Sequence, residues 1–395
     1  MFRRIHILRA SSRSREGLPG HHVIALTPLL ATSVLFTVCS AQFARAGNSV
    51  VDNAINAIYA SDGTVTFKSE GGATDKAVIR VYIGWKATDE TLKHLRAFPD
   101  LADLNIWTSE ITDVGLDNLR YVPSLRALSI FGPCITDRGL AHLEHVPQLR
   151  ELTLYRLGPV QSGLKHLASV EHIEELSLQR TALSDRELSY LPAMPRLRKL
   201  NLGNSRVTDA GLVVLRRFPA LEFLQLNHTQ VTGEGLKYLR EPELKELRLR
   251  GTRLTVRGME QIGNLRGLER LDLSGAMLEI TGMVYLTHLR NLMTLKLTET
   301  DINDESLRIL ADMTKLEDLW LLDNEHITGP GLSYLAALPR LRHLMLFGTS
   351  ISDHALKHLK EEFPSLESVG LSQTQVSDEG IESLRAARPR LIVIW

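Results

Sequence analysis

Leucine-type residues open a repeating unit at Leu101, Leu125, Leu149, Ile173, Leu197, Leu221, Leu244, Leu268, Leu292, Leu316, Leu341 and Leu366, in steps of 23 to 25 residues. Each heads a Leu-x-x-Leu-x-Leu run in which apolar and polar positions alternate, the period of a half-buried strand. In the unit at Leu101 this predicts Leu101, Leu104 and Ile106 facing inward and Ile111 closing the turn. Thr112-Asp113-Val114-Gly115-Leu116 then opens a helix whose Leu116 and Leu119 face the core one turn apart. Pro123 ends the helix, and Pro147, Pro195, Pro219, Pro339 and Pro364 repeat the stop. Units this short cannot bury an apolar face alone, so they must stack and share one core. The pattern therefore predicts an α/β, right-handed solenoid with about twelve full repeats, parallel strands on its concave face and helices on its convex face.

Polar positions keep the same register. Thr, Ser or Asn stands at 88, 112, 136, 184, 208, 232, 255, 303, 328, 352 and 377, where a side chain can cap the first helical turn. Asp follows at 89, 113, 137, 185, 209, 304, 353 and 378, at the positive end of each helix dipole. Ser109, Thr181, Ser205, Thr229, Thr252, Thr300, Asn324, Thr349 and Thr374 mark strand exits, where backbone groups enclosed by the stack need side-chain partners. With these residues assembled, the chain resembles the leucine-rich-repeat family over about residues 78 to 395. Ile-Thr-Asp-x-Gly-Leu-x-x-Leu at 111–119 looks like the subtype found in secreted bacterial repeat proteins and is similar to the repeats of F-box proteins. The resemblance implies a recognition scaffold. Its F-box side would imply substrate recognition in a ubiquitin ligase.

The two ends depart from the repeat. Arg3, Arg4, Arg9, Arg13 and Arg15 precede an uncharged stretch from Val23 to Gln42, followed by Ala44-Arg45-Ala46, so residues 1–46 read as an export signal cleaved after Ala46. The alternative is an uncleaved membrane anchor. Either places the repeats outside the cytoplasm. Residues 47–77 read as a helix-and-strand cap: Val51, Ala54, Ile55 and Ile58 form an apolar stripe, and Thr64-Val65-Thr66-Phe67 alternates like a strand. At the other end Leu391-Ile392-Val393-Ile394-Trp395 starts one more strand, an apolar edge suited to self-association.

Charge and chemistry narrow the function. Without residues 1–46 the chain keeps 40 basic and 45 acidic residues, a net charge of −5, which argues against a nucleic-acid partner. Cys134 would then be the one remaining cysteine, so no internal disulfide can form. The sequence carries no phosphate-binding glycine loop, no Gly-x-Ser-x-Gly elbow and no His-Glu-x-x-His helix, and no enzyme, cofactor or metal is expected. His94, His142, His166 and His358 are copies of one helix slot. His142 and His145 can share a helix face, but the local sequence offers them no third ligand.

Candidate binding residues therefore lie on the exposed positions of the concave strands. One aromatic cluster, Trp85, Trp107, Phe131 and Tyr155, recurs in four successive units. A second comprises Trp320, Leu322, Met345 and Phe347, with Trp395 a candidate neighbour. Between them Arg180, Arg206, Arg248, Arg250 and Arg270 make a basic middle, interleaved with Glu175, Glu246 and Asp272. Rings in register are typical anchors for a protein partner. They serve equally for stacking on a cell-envelope glycan, which remains the alternative, and the bland reading is that Arg and Glu satisfy each other across strands.

Overall fold

One step of the repeat along the chain is one step across the sheet, so equivalent positions pair side by side. The computed structural model describes residues 49–67, 78–239 and 244–395. The expected export segment and anchor, residues 1–46, lie outside them. The described residues form a fifteen-stranded sheet in sequence order, parallel throughout except where Thr64–Phe67 runs antiparallel to Val78–Ile83. Leu104 lies between Val81 and Leu128, and Ile106 between Ile83 and Ile130. A slip of one residue would turn every such side chain out of the core.

The leucine register becomes a continuous core. Leu101, Leu104, Ile106, Ile111, Leu116 and Leu119 are each fully buried, and the later repeats copy them. The outer layer is tighter than ordinary α-helix. In the unit at Leu101 one α turn, Asp113–Leu116, runs directly into a 3-10 segment, Asp117–Tyr121. A 3-10 turn rises about 2.0 Å per residue against about 1.5 Å for α, so it crosses the outer face with fewer residues. The helix Ser49–Ala60 covers the first repeat, burying Ala54 and Ile58. No helix among the described residues is long and apolar enough to cross a membrane.

Strand exits have a common construction. Arg180, Asn204, His228, Gly251, Gly275, Glu299, Asp323, Gly348 and Gln373 all take positive φ, between 53° and 67°. This bends the chain out of the strand. In seven of these units the following Thr or Ser turns its hydroxyl back to donate to the carbonyl three residues earlier, at 2.5–2.7 Å from Thr181, Ser205, Thr229, Thr252, Thr300, Thr349 and Thr374. Asn324 does more. Its Nδ2 donates to the carbonyls of Leu297, Leu321 and Leu322, and its Oδ1 accepts from the amides of Thr300 and Ile302. The expectation fails at Ser109, which is exposed; its neighbour Thr108 is buried and donates to the Trp85 and Ala87 carbonyls.

Most of the recurring Asp residues stand in the first helical turn, as expected, and they do more. All but Asp378 reach across to the next repeat, Asp137 to the amides of Gln161 and Ser162. Asp89 accepts from both the amide and the hydroxyl of Thr112, Asp113 from those of Thr136, Asp185 from Thr208, Asp209 from Thr232, Asp304 from Thr328 and Asp353 from Ser377. In each of these pairs the glycine three residues past the receiving Thr or Ser packs against that Asp, against its carboxylate in five cases and against the Asp209 backbone at Gly235. A Cβ on Gly115 would collide with the Asp89 Oδ1. Thr, Asp and Gly of the repeat are thus one interlock between neighbours.

At the last strand, Ile392–Ile394, Leu391 is buried while Ile392 and Ile394 are exposed. Arg385 donates to the Val393 carbonyl at 3.2 Å, and Trp395 Nε1 donates to Asp378 Oδ1 at 3.1 Å. Trp395 is therefore tied to the start of the preceding helix, away from the place beside Trp320 expected for it.

Candidate binding surface on the concave sheet

Strand alternation sends Asp103, Asn105 and Trp107 outward from a strand whose Leu104 and Ile106 point in. Repeat stacking multiplies these into three columns. The column through Trp107 pairs Trp107 with Phe131 and Phe131 with Tyr155. Their rings form a mutual cluster, with centroids 5.2 Å apart for Trp107 and Phe131, 5.6 Å for Trp107 and Tyr155 and 5.8 Å for Phe131 and Tyr155. Trp107 leans across its neighbour to reach the third ring and still leaves 47% of its surface exposed. Trp85 does not join them. It sits in the turn beyond Ile83, displaced because Ile83 is the residue paired with Ile106, with the Lys86 ammonium over its ring at 5.1 Å.

Arg180 continues the cluster, its guanidinium 5.9 Å from the Tyr155 ring centroid. The rest of the expected basic middle is partly neutralised within the sheet. Arg248 and Arg270 both bind Glu246, at 2.5 and 2.8 Å, and Lys199 binds Glu175 at 2.5 Å. Burial opposes the charge on Glu246, but its bonds to Arg270 and Arg248 win and hold the carboxyl below its ordinary range. Arg248 also lies over the Phe223 ring at 5.1 Å. Arg180 and Arg250 have no carboxylate partner among the described residues. They flank His228, whose pKa is pushed down by burial and by the Arg250 and Arg180 charges. Arg206 lies elsewhere: its amide bonds the Leu183 carbonyl past the strand exit, so it borders the sheet without being on a strand.

Beside the aromatic column runs a neutral one, Asn105, Ser129, Thr153, Ser177, Asn201 and Gln225, all half-buried. A cleft of about 190 Å³ opens here, lined by Glu151, Thr153, Glu175, Ser177, Lys199 and Asn201 among others. Ser177 Oγ is buried and finds no hydrogen-bond partner among the described residues. Burial, then the nearby Glu175 and Asp103 charges, push the Glu151 carboxyl above its ordinary value. The sequence pointed to the aromatics and missed this cleft, because only the cross-strand register juxtaposes Glu151, Glu175 and Lys199.

The second cluster is built on a missing side chain. Trp320, Met345 and Gly370 pair in one column, and a Cβ on Gly370 would strike the Phe347 ring. Phe347 thus folds over Gly370 onto Met345. Met345 is consequently buried, where an exposed contact residue was expected. Trp320 remains half-exposed beneath the Lys296 ammonium, 4.5 Å from its centroid.

No protein-family model matches this sequence, and no curated protein does. Solved structures do. An internalin from Listeria monocytogenes aligns at 20% identity and a TM-score of 0.56, covering 88% of this chain and 94% of its own. A leucine-rich-repeat protein of Leptospira interrogans aligns at 18% identity and 0.52, covering 77% and 74%. A chain of the mouse RP105/MD-1 complex aligns at 16% and 0.55, covering 77% of this chain and 56% of its own. The fold is the leucine-rich-repeat solenoid. At these identities the likeness extends to the fold and no further, so what the concave face of this leucine-rich-repeat chain binds must be argued from its own residues.

Proposed function

We propose that this chain is an exported leucine-rich-repeat scaffold that recognises a protein partner on its concave sheet, with no catalytic role. The observation that carries the proposal is the cluster of Trp107, Phe131 and Tyr155. Three rings packed on one another on a solvent-facing sheet present a preassembled apolar anchor, and Arg180 beside them adds a cation with no carboxylate partner among the described residues. Such a surface suits a partner segment with an apolar side chain next to an acidic one.

A second reading, a cell-envelope glycan, draws support from the uncharged column Asn105 to Gln225, since amides and hydroxyls beside aromatic faces also suit a sugar. One experiment addresses both. Trp107→Ala combined with Phe131→Ala should weaken capture of the partner from the native source by about 30-fold, equivalent to about 2 kcal/mol, with unchanged thermal melting. Release of the captured species by soluble polysaccharide would transfer the site to the glycan reading. Equal capture by wild type and variant would remove both readings from the concave face.

A further inference from the structure

The convex face carries a second constellation, unrelated to the concave surface. Asp117 opens the 3-10 segment Asp117–Tyr121 of one repeat, and the next repeat presents His142 and His145 on the 3-10 segment His142–His145. With three residues per turn, positions i and i+3 of a 3-10 segment lie one above the other. The two imidazoles accordingly stack, with centroids 5.8 Å apart and planes inclined by 29°. Repeat stacking supplies the carboxylate that local sequence lacks: His142 Nδ1 lies 3.4 Å from Asp117 Oδ1. One ligand atom from each of the three residues falls within 4.8 Å of the others, and all three side chains are half-buried.

We propose that Asp117, His142 and His145 form a divalent-cation site of the zinc class that clamps two adjacent repeats. Two imidazole nitrogens and a carboxylate oxygen are the donor set that zinc takes, with a fourth position left to water. Bonds of about 2.0–2.1 Å in a tetrahedron set donors roughly 3.3 Å apart, which the His142 and Asp117 pair already meets. The His145 nitrogen, within 4.8 Å of the other two donors, must move inward to close the set. His94 and His166 occupy the slot of His142 in other repeats, but Ala97 and Ser169 stand where His145 would be, and Ala141 stands where His166 would need its Asp. These positions serve as internal controls. Arg120 competes for the site, since its guanidinium binds Asp117 Oδ1 from one helical turn away.

The test is calorimetric titration of the full chain with Zn²⁺, repeated with Co²⁺ to read the absorption of a tetrahedral site. One class of bound ion should weaken ten-fold or more in His142→Ala, His145→Ala and Asp117→Asn, and persist in His94→Ala and His166→Ala. Arg120→Gln should tighten it by freeing the carboxylate. Asp117→Asn keeps the side chain's shape, and circular dichroism of each variant separates a lost ligand from a lost fold. Identical titrations of wild type and His145→Ala, or equal losses in the His94 and His166 controls, would overturn the site.

Discussion

At the residue scale, the strand exits carry a conformational cost that sequence reading did not register. Left-handed backbone disfavours side chains other than Gly, Asn and Asp, yet Arg180, His228 and Glu299 adopt it. His228 shows what such a position can hold. Its ring lies against Gly251, where a Cβ would collide with it, and its protonated form is opposed first by burial and then by the Arg250 and Arg180 charges. The fold therefore favours the neutral imidazole. With the folded-state pKa below the ordinary value of about 6.5, this contribution to stability is complete above that pH and is lost as pH falls toward the lowered value. In an NMR titration His228 should ionise below its ordinary value, and Arg250→Gln should move it back upward. Denaturant melts of His228→Asn should lose part of the wild-type decline on acidification. An ordinary His228 titration, insensitive to Arg250, would break this account.

At the element scale, the repeat is joined to its neighbour by the Asp–Thr–Gly interlock. The sequence displayed all three residues in register, and their recurrence was legible as helix capping and a dipole partner. Their true pairing was not, because Asp89 meets Thr112 only once two units are stacked. The same limit explains the other departures. Thr108 in place of Ser109, Met345 buried under Phe347 and the carboxylate beside His142 all depend on contacts between repeats. Strand alternation, the leucine core and the Trp107 column depend on periodicity within a repeat, and the sequence shows them directly. The interlock predicts a specific coupling. Asp89→Ala should cost about 1–3 kcal/mol by orphaning the Thr112 amide and hydroxyl, and Gly115→Ala about 1–3 kcal/mol by overpacking. Because the added methyl strikes the Asp89 carboxylate, the double variant should cost less than the sum of the singles by about 1 kcal/mol in urea melts. Strict additivity would show that Gly115 is required by something other than Asp89.

At the scale of the whole molecule, a solenoid is as stable locally as its nearest-neighbour joints, because each repeat touches only the two beside it. The joints here are unequal. Asp89, Asp113 and Asp137 link four successive units at the amino-terminal end, whereas Thr255 has no Asp behind it and donates from its hydroxyl to Glu234 and from its amide to the Thr232 carbonyl, each at 3.2 Å, and Asn303 is bonded by its own Ser306. Among the described residues no such Asp bond joins the Thr255 unit to the next, or that one to the Asn303 unit; across the first of these joints a two-residue ladder, Arg253–Leu254 with Met277–Leu278, stands in. Hydrogen exchange should therefore find the helical segments Val256–Gly263 and Ile280–His288 opening before residues 113–121 and 137–145. Uniform protection along the chain would mean that the leucine core, and not the interlock, sets local stability. The joint without the interlock lies between the two aromatic clusters, Trp107 to Tyr155 on one side and Trp320 to Phe347 on the other. A partner that engages both clusters must hold that joint at one angle, so its binding should slow exchange across residues 256–288, although none of them belongs to either cluster. A partner held by Trp107, Phe131 and Tyr155 alone would leave exchange there unchanged.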